Sequence, residues 1–248
     1  LDVVPGGQLW LYLVAGFVVL GLLPWAPPAG KIPQARVSLA NCNGCARCFD
    51  DCPFGALTMV PRSDGRAYEL EPCVNLDNCT SCGICAGSCP TSTPFRRAKP
   101  IEPGIELPDR TIGALRAEIM APWPAGSGRP RVLVFCCDHG DTGSLGADDM
   151  RVVSLPCVGM LPPSFVDFAL ARDCADGVMI AGCAENDCFH RLGNEWTAQR
   201  MARERDPRLR QRVPDERLRL AWLPVLAGRR RAAMVETFRK QLSGAGDG

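Results

Sequence analysis

At 248 residues the chain has room for two small domains with extensions. Its net charge of +1 provides no overall field that would attract nucleic acid. Fifteen cysteines without a secretory pattern fit a reducing compartment and metal ligation better than a disulfide scaffold. The chain opens on Leu1 rather than Met, so a processed or incomplete product is expected.

Residues 1–30 carry no charge after Asp2, and residues 9–25 are almost wholly apolar. As a helix, residues 9–25 would rise roughly 26 Å, near the short end of what spans a bilayer. Trp10, Tyr12 and Trp25 stand at its ends, where aromatic belts form, and Pro24, Pro27 and Pro28 terminate it. The pattern predicts one transmembrane helix. Lys31, Arg36 and Arg47 follow it, so the positive-inside rule puts the rest of the chain in the cytoplasm.

Residues 31–98 contain one cysteine pattern twice. Cys42, Cys45, Cys48 and Cys52 are followed by Pro53, and Cys79, Cys82, Cys85 and Cys89 by Pro90. Zinc knuckles use paired C-x2-C units across a longer loop, a different spacing. Over residues 38–95 the doubled run C-x2-C-x2-C-x3-C-P resembles the bacterial two-cluster ferredoxin. That resemblance implies an α+β ferredoxin-like domain with two 4Fe–4S clusters. One would be held by Cys42, Cys45, Cys48 and Cys89, the other by Cys79, Cys82, Cys85 and Cys52, because the fourth cysteine of each run ligates the other cluster. Gly44 and Gly83 let backbone approach the sulfides closely. Thr58–Val60 and Tyr68–Leu70 flank a Ser-Asp-Gly turn and predict a hairpin. Cys73, outside both runs, is expected to be a buried thiol.

Residues 99–130 read as a linker, rich in proline, with a short helix that Asp109 can cap and that turns Ile112, Leu115 and Ile119 to one face. Within residues 131–244 the pattern changes. Apolar runs at 132–136, 152–155, 178–181 and 218–223 alternate with helical stretches near 163–172, 185–205 and 232–242. Such alternation predicts an α/β domain with a parallel sheet covered on both faces. Cys136 and Cys137 end the first strand, Cys157 follows the second, and Cys183 and Cys188 follow the third. Ligands in open α/β sheets sit beyond the carboxyl ends of the strands, so three loops deliver thiols to one place. Cys174 is read as a structural thiol on a helix, and His190 as a surface histidine beside Cys188. The stretches 203–219 and 229–231 read as solvated faces. Gly140, Gly143 and Gly146 offer a rival nucleotide site, but their spacing is not G-x-G-x-x-G.

Phe135-Cys136-Cys137, Cys157-Val158-Gly159, and Gly182-Cys183 with Asp187-Cys188, Gly193 and Asn194 resemble the delta subunit of methyl-viologen-reducing hydrogenase, over residues 129–225. That resemblance implies a 2Fe–2S cluster on Cys137, Cys157, Cys183 and Cys188. It also implies electron transfer between a hydrogenase or dehydrogenase and heterodisulfide reductase. The family usually has a further cysteine three residues after the one matching Cys137, where this chain has Gly140. Four ligands remain, with Cys136 spare, since alternation along a strand points Cys136 and Cys137 to opposite faces.

No catalytic constellation, flavin signature or pterin signature is present. The expected function is a membrane-anchored iron–sulfur electron-transfer component of the cytoplasmic membrane, its iron–sulfur domains facing the cytoplasm. It would link a cytoplasmic oxidoreductase subunit to a quinone-reactive or cytochrome b-type membrane partner. The alternatives are a soluble connector in a hydrogenase–heterodisulfide reductase-type complex and, third, an iron–sulfur regulatory sensor.

Overall fold

The computed structural model describes residues 8–22, 33–97, 100–139, 150–224 and 226–244. The chain divides into two compact units, residues 1–32 and residues 33–248. In the first, α1 (Leu9–Leu22) is 14 residues long and apolar on every side. At 1.5 Å per residue it extends about 21 Å, against a hydrocarbon core of roughly 30 Å. Among the described residues no helix is long and apolar enough to cross a membrane. The predicted transmembrane helix is therefore corrected, and the cytoplasmic-membrane placement and orientation fall with it. Composition suits lipid, but length decides spanning, and Pro24 disfavours helical backbone at the residue before it. Trp25 and Lys31 lie outside the described residues.

The second unit begins with the doubled cysteine region. In chain order it contains β1 (Arg36–Val37), α2 (Arg47–Asp50), β2 (Leu57–Pro61), β3 (Leu70–Val74), α3 (Ile84–Ser88) and β4 (Ile105–Glu106). β1 pairs antiparallel with β4, and β2 with β3. The hairpin turn is closed by Asp64, which accepts from the Arg62 guanidinium and the Arg66 backbone N–H. This turn takes up more chain than the sequence pattern implies, so the return strand starts at Leu70 rather than Tyr68. Cys73 sits on β3 and is exposed, contrary to expectation.

The sequence repeat is also a backbone repeat. Gly44 and Ser81 occupy equivalent positions and have φ of 65° and 56°; Ala46 and Gly83 are likewise equivalent, with φ of 60° and 74°. Each cysteine loop thus makes two left-handed turns before its short helix. Glycine serves one of them in each repeat, and Ala46 and Ser81 adopt the same conformation despite carrying a Cβ.

α4 (Ile112–Met120) is capped by Thr111, whose hydroxyl accepts from the Ala114 N–H at 3.1 Å, not by Asp109. Ile112, Leu115 and Ile119 are its buried face. Beyond it, β5 (Val132–Cys137), β6 (Met150–Leu155), β7 (Gly177–Gly182) and β8 (Leu218–Trp222) form a parallel sheet in the order β6-β5-β7-β8. Three helices accompany it: α5 (Pro163–Ala171), α6 (Gly193–Met201) and α7 (Gly228–Gly244). The helix expected over 185–205 is confined to α6, because Asn186 and Arg191 have positive φ and break the preceding stretch into turns. Cys174 lies in the turn after α5, not on a helix.

Side-chain alternation on β5 separates two cores. Val132, Val134 and Cys136 face α7 with Met179, Val235 and Phe238. Leu133, Phe135 and Cys137 face the other way and join α4 and α5. That second core continues without interruption into the cysteine-repeat region through Cys48, Leu57, Cys85, Ala86 and Ile105. The repeat region and the sheet therefore share one interior.

Candidate metal centres

The described side chains form three groups of cysteines. Cys42, Cys45, Cys48 and Cys89 line one small cavity, with Gly44, Ala46, Gly104 and Ile105 around them. Cys52, Cys79, Cys82 and Cys85 line a second. Each cavity takes three cysteines from one repeat and the fourth from the other. Gly104 helps to make the first possible, since a Cβ there would stand 3.0 Å from the Cys42 Cα.

Burial governs the chemistry of these thiols. The Cys48 thiol is pushed up to about 12, by burial first and then by Cys89, Cys45 and Cys42 beside it. Cys82 is pushed up to about 11, again chiefly by burial. Cys85 lies well above the ordinary thiol value, by burial first, with Cys82 and then Cys48 among its charged neighbours. The appearance of Cys48 beside Cys85 brings the two cavities together through α2 and α3. Backbone N–H groups are already directed at sulfur, from Gly44 to Cys42 Sγ at 3.4 Å and from Ala56 to Cys52 Sγ at 3.2 Å.

The third group sits beyond the carboxyl ends of the parallel strands. Cys137 and Cys188 each share sulfur–sulfur hydrogen bonding with Cys157 and Cys183, so the four side chains close into one ring of cysteines. Those bonds hold Cys137 and Cys188 well below the ordinary thiol range and push Cys157 and Cys183 up. The Val158 N–H donates to Cys137 Sγ at 3.4 Å. Cys136 is on the opposite face of β5, pushed up to about 11 mainly by burial, and takes no part in the ring.

The ring is packed through glycines. A Cβ on Gly193 would stand 2.1 Å from Cys157 Sγ and 3.5 Å from Cys188 Sγ. A Cβ on Gly87 of α3 would stand 2.1 Å from the Gly159 carbonyl oxygen. Through this close approach Cys82 and Cys157 enter one small apolar cluster with Ile84 and Trp196. Among the described residues no group of three or more Cys, His, Asp or Glu side chains is set for a lone metal ion. An iron–sulfur cluster instead spreads four cysteines over several irons.

The burial of several residues at these sites had no sequence signal. His190 is buried rather than on the surface; burial, with His139 nearby, pulls its pKa down, and Nδ1 has no partner among the described residues. Asp51 and Arg200 are also buried, and they meet across the boundary between the repeat region and the sheet. Nothing in a lone aspartate beside a cysteine, or in one arginine among many, marks such a pair. Gly140, Gly143 and Gly146 lie outside the described residues.

The chain is similar to two kinds of iron–sulfur protein. Residues 41–93 match the family of 4Fe-4S dicluster domains. Residues 132–246 match the delta subunit of methyl-viologen-reducing hydrogenase. Among characterised proteins, the chain is similar to the iron-sulfur subunit of the F420-non-reducing hydrogenase vhc of Methanococcus voltae. The two are 28% identical over 121 residues, which is 45% of this chain and 83% of that protein. The corresponding iron-sulfur subunit of the F420-non-reducing hydrogenase of Archaeoglobus profundus is 32% identical over 89 residues, 36% of this chain and 64% of that one. One subunit of the ferredoxin:CoB-CoM heterodisulfide reductase of Methanosarcina mazei is 28% identical over 221 residues, 86% of this chain but 25% of the relative's length.

Proposed function

We propose that the chain is an iron–sulfur connector subunit of a hydrogenase–heterodisulfide reductase-type complex. In it, two 4Fe–4S clusters and a 2Fe–2S cluster pass electrons between partner oxidoreductase subunits. The observation that carries this reading is the pair of crossed four-cysteine cavities. Four cysteines line each cavity, with Asn43 the other polar side chain in the first and Asp51, Thr80 and Ser81 in the second, and soft thiolates suit iron–sulfur clusters. The first cluster would rest on Cys42, Cys45, Cys48 and Cys89, the second on Cys52, Cys79, Cys82 and Cys85, and the 2Fe–2S cluster on Cys137, Cys157, Cys183 and Cys188. Bound clusters would supply one-electron redox chemistry; the protein keeps them apart from water and close to one another.

The order of exposure supports a relay. Cys45 is exposed and Cys183 and Cys188 are half-buried, whereas Cys82, Cys85 and Cys157 are buried. Electrons would enter and leave at the ends, where partners can approach, and cross a dry middle. The relatives named as hydrogenase subunits match 121 and 89 residues of this chain, and the heterodisulfide reductase relative matches 221, enough to reach into both halves, which fits a connector between such enzymes. With no described helix long enough to cross a bilayer, the membrane partner and the cytochrome b-type link drop out of the reading.

Anaerobic purification of the full chain tests the proposal. Two cubes and one 2Fe–2S centre require about ten irons per chain, and the reduced protein should give distinct paramagnetic signals for them. A hydrogenase or heterodisulfide reductase-type subunit should co-purify from the native host. About eight irons would remove the 2Fe–2S centre from the reading, about four would refute the crossed pair, and a partner from outside redox metabolism would refute the connector role.

A further inference from the structure

Arg200 has no exposed surface, although it carries a full charge. It rises from α6, whose first residue Gly193 packs on the Cys157 sulfur. One end of its guanidinium, Nη2, bonds the carboxylate of Asp51, the residue before Cys52. The other, Nη1, donates to the Gly159 carbonyl at 2.9 Å, two residues after Cys157. Its Nε–H is buried and finds no acceptor among the described residues. One side chain therefore ties the Cys52 loop of the second cavity to the Cys157 loop of the ring. Burial pulls the Arg200 pKa down; Asp51 opposes that most strongly, Arg205 adds to it, and Cys157 is close enough to act against it.

The charge count at this boundary is uneven. Arg205 also bonds Asp51, so two guanidinium groups share one buried carboxylate and leave a net positive charge. We infer that Arg200 is a positioning residue that raises the reduction potentials of the second 4Fe–4S centre and of the ring centre together, with Asp51 setting the size of the effect. A reduced centre carries one more negative charge than an oxidised one, and a buried cation beside it favours that state. Neither Arg200 nor Asp51 lines the first cavity, whereas Asp51 lines the second. The second cube and the ring centre would then be matched by the same charge.

The inference rests on the cysteine groups being cluster ligands, so iron content is measured first on the full-length parent. Redox titrations followed by electron paramagnetic resonance then compare Arg200→Gln, Arg200→Lys and Asp51→Asn. At fixed ambient potential, Arg200→Gln should lower the ratio of reduced to oxidised centre about tenfold at the second cube and the ring, equivalent to about 59 mV for one electron. Asp51→Asn should move both centres the opposite way, and Arg200→Lys should recover most of the parent potential. The first cube should stay in place. A purely structural role would move Arg200→Gln and Asp51→Asn in the same direction, and that result would overturn the inference. So would unchanged potentials, or an equal shift at the first cube. If Arg200→Gln does not fold, the opposed signs expected of Asp51→Asn and Arg205→Gln decide the matter. A parent chain without iron at these cysteines overturns this inference and the connector reading together; a loaded parent with no shift overturns this inference alone.

Discussion

At single positions, contact distance and strand parity decide what each side chain can do. Gly87 has no room for a methyl group, because its Cβ would meet the Gly159 carbonyl, which is backbone and cannot rotate away. Gly87→Ala should therefore cost about 1–3 kcal/mol of stability through overpacking. In a chain of this size that is a fall of roughly 2–4 °C in melting temperature per kcal/mol, readable by calorimetry. Strand parity makes a sharper contrast at the ring. Cys183→Ser or Cys188→Ser should remove the 2Fe–2S signal and leave both cubes, whereas Cys136→Ser should do little, since Cys136 packs toward α7. Electron paramagnetic resonance of the single variants reads this directly, and a lost signal in Cys136→Ser with an intact one in Cys137→Ser would reverse the assignment.

Among the elements, the two short helices α2 and α3 contribute more than their length implies. Each follows a loop with two left-handed residues and sets a buried cysteine, Cys48 or Cys85, against the other repeat. Burial raises both thiols, with a calculable consequence for the iron-free chain. A thiol whose folded pKa lies above its unfolded value stabilises the fold fully below the unfolded value and loses that contribution as pH rises through the folded one. For Cys48 the window runs from about pH 9 toward 12. Thermal melts should show the iron-free protein losing stability across that range while the cluster-loaded protein, whose thiolates are held by iron, changes less. A flat profile for the iron-free chain would mean that these thiols are open to water.

Over the whole of residues 33–248, one continuous core joins the cysteine repeats to the parallel sheet. Domains that share an interior unfold together, so calorimetry of the loaded chain should give one transition for this unit, and two separated transitions would show the shared core to be weak. The same continuity brings Cys82 and Cys157 into one apolar cluster. The relay reading depends on that proximity, which neither half would provide alone.

Much of this architecture was legible in the residues. The cysteine runs are local and their spacing repeats, so the resemblance they carry already grouped the cysteines as they line the two cavities. Apolar runs alternating with helical stretches likewise foretold a parallel sheet with cysteines at its carboxyl ends, because period and strand order are local properties too. Apolar composition at residues 9–25 misled, since it measures affinity for lipid while spanning requires length, and α1 is 14 residues long. What only the tertiary structure decided depends on long-range packing. It buried His190, joined Asp51 to Arg200 across 149 positions of sequence and set Gly87 against Gly159. A single side chain carries no record of which distant neighbour will exclude water from it; that follows from how the two halves close on one another.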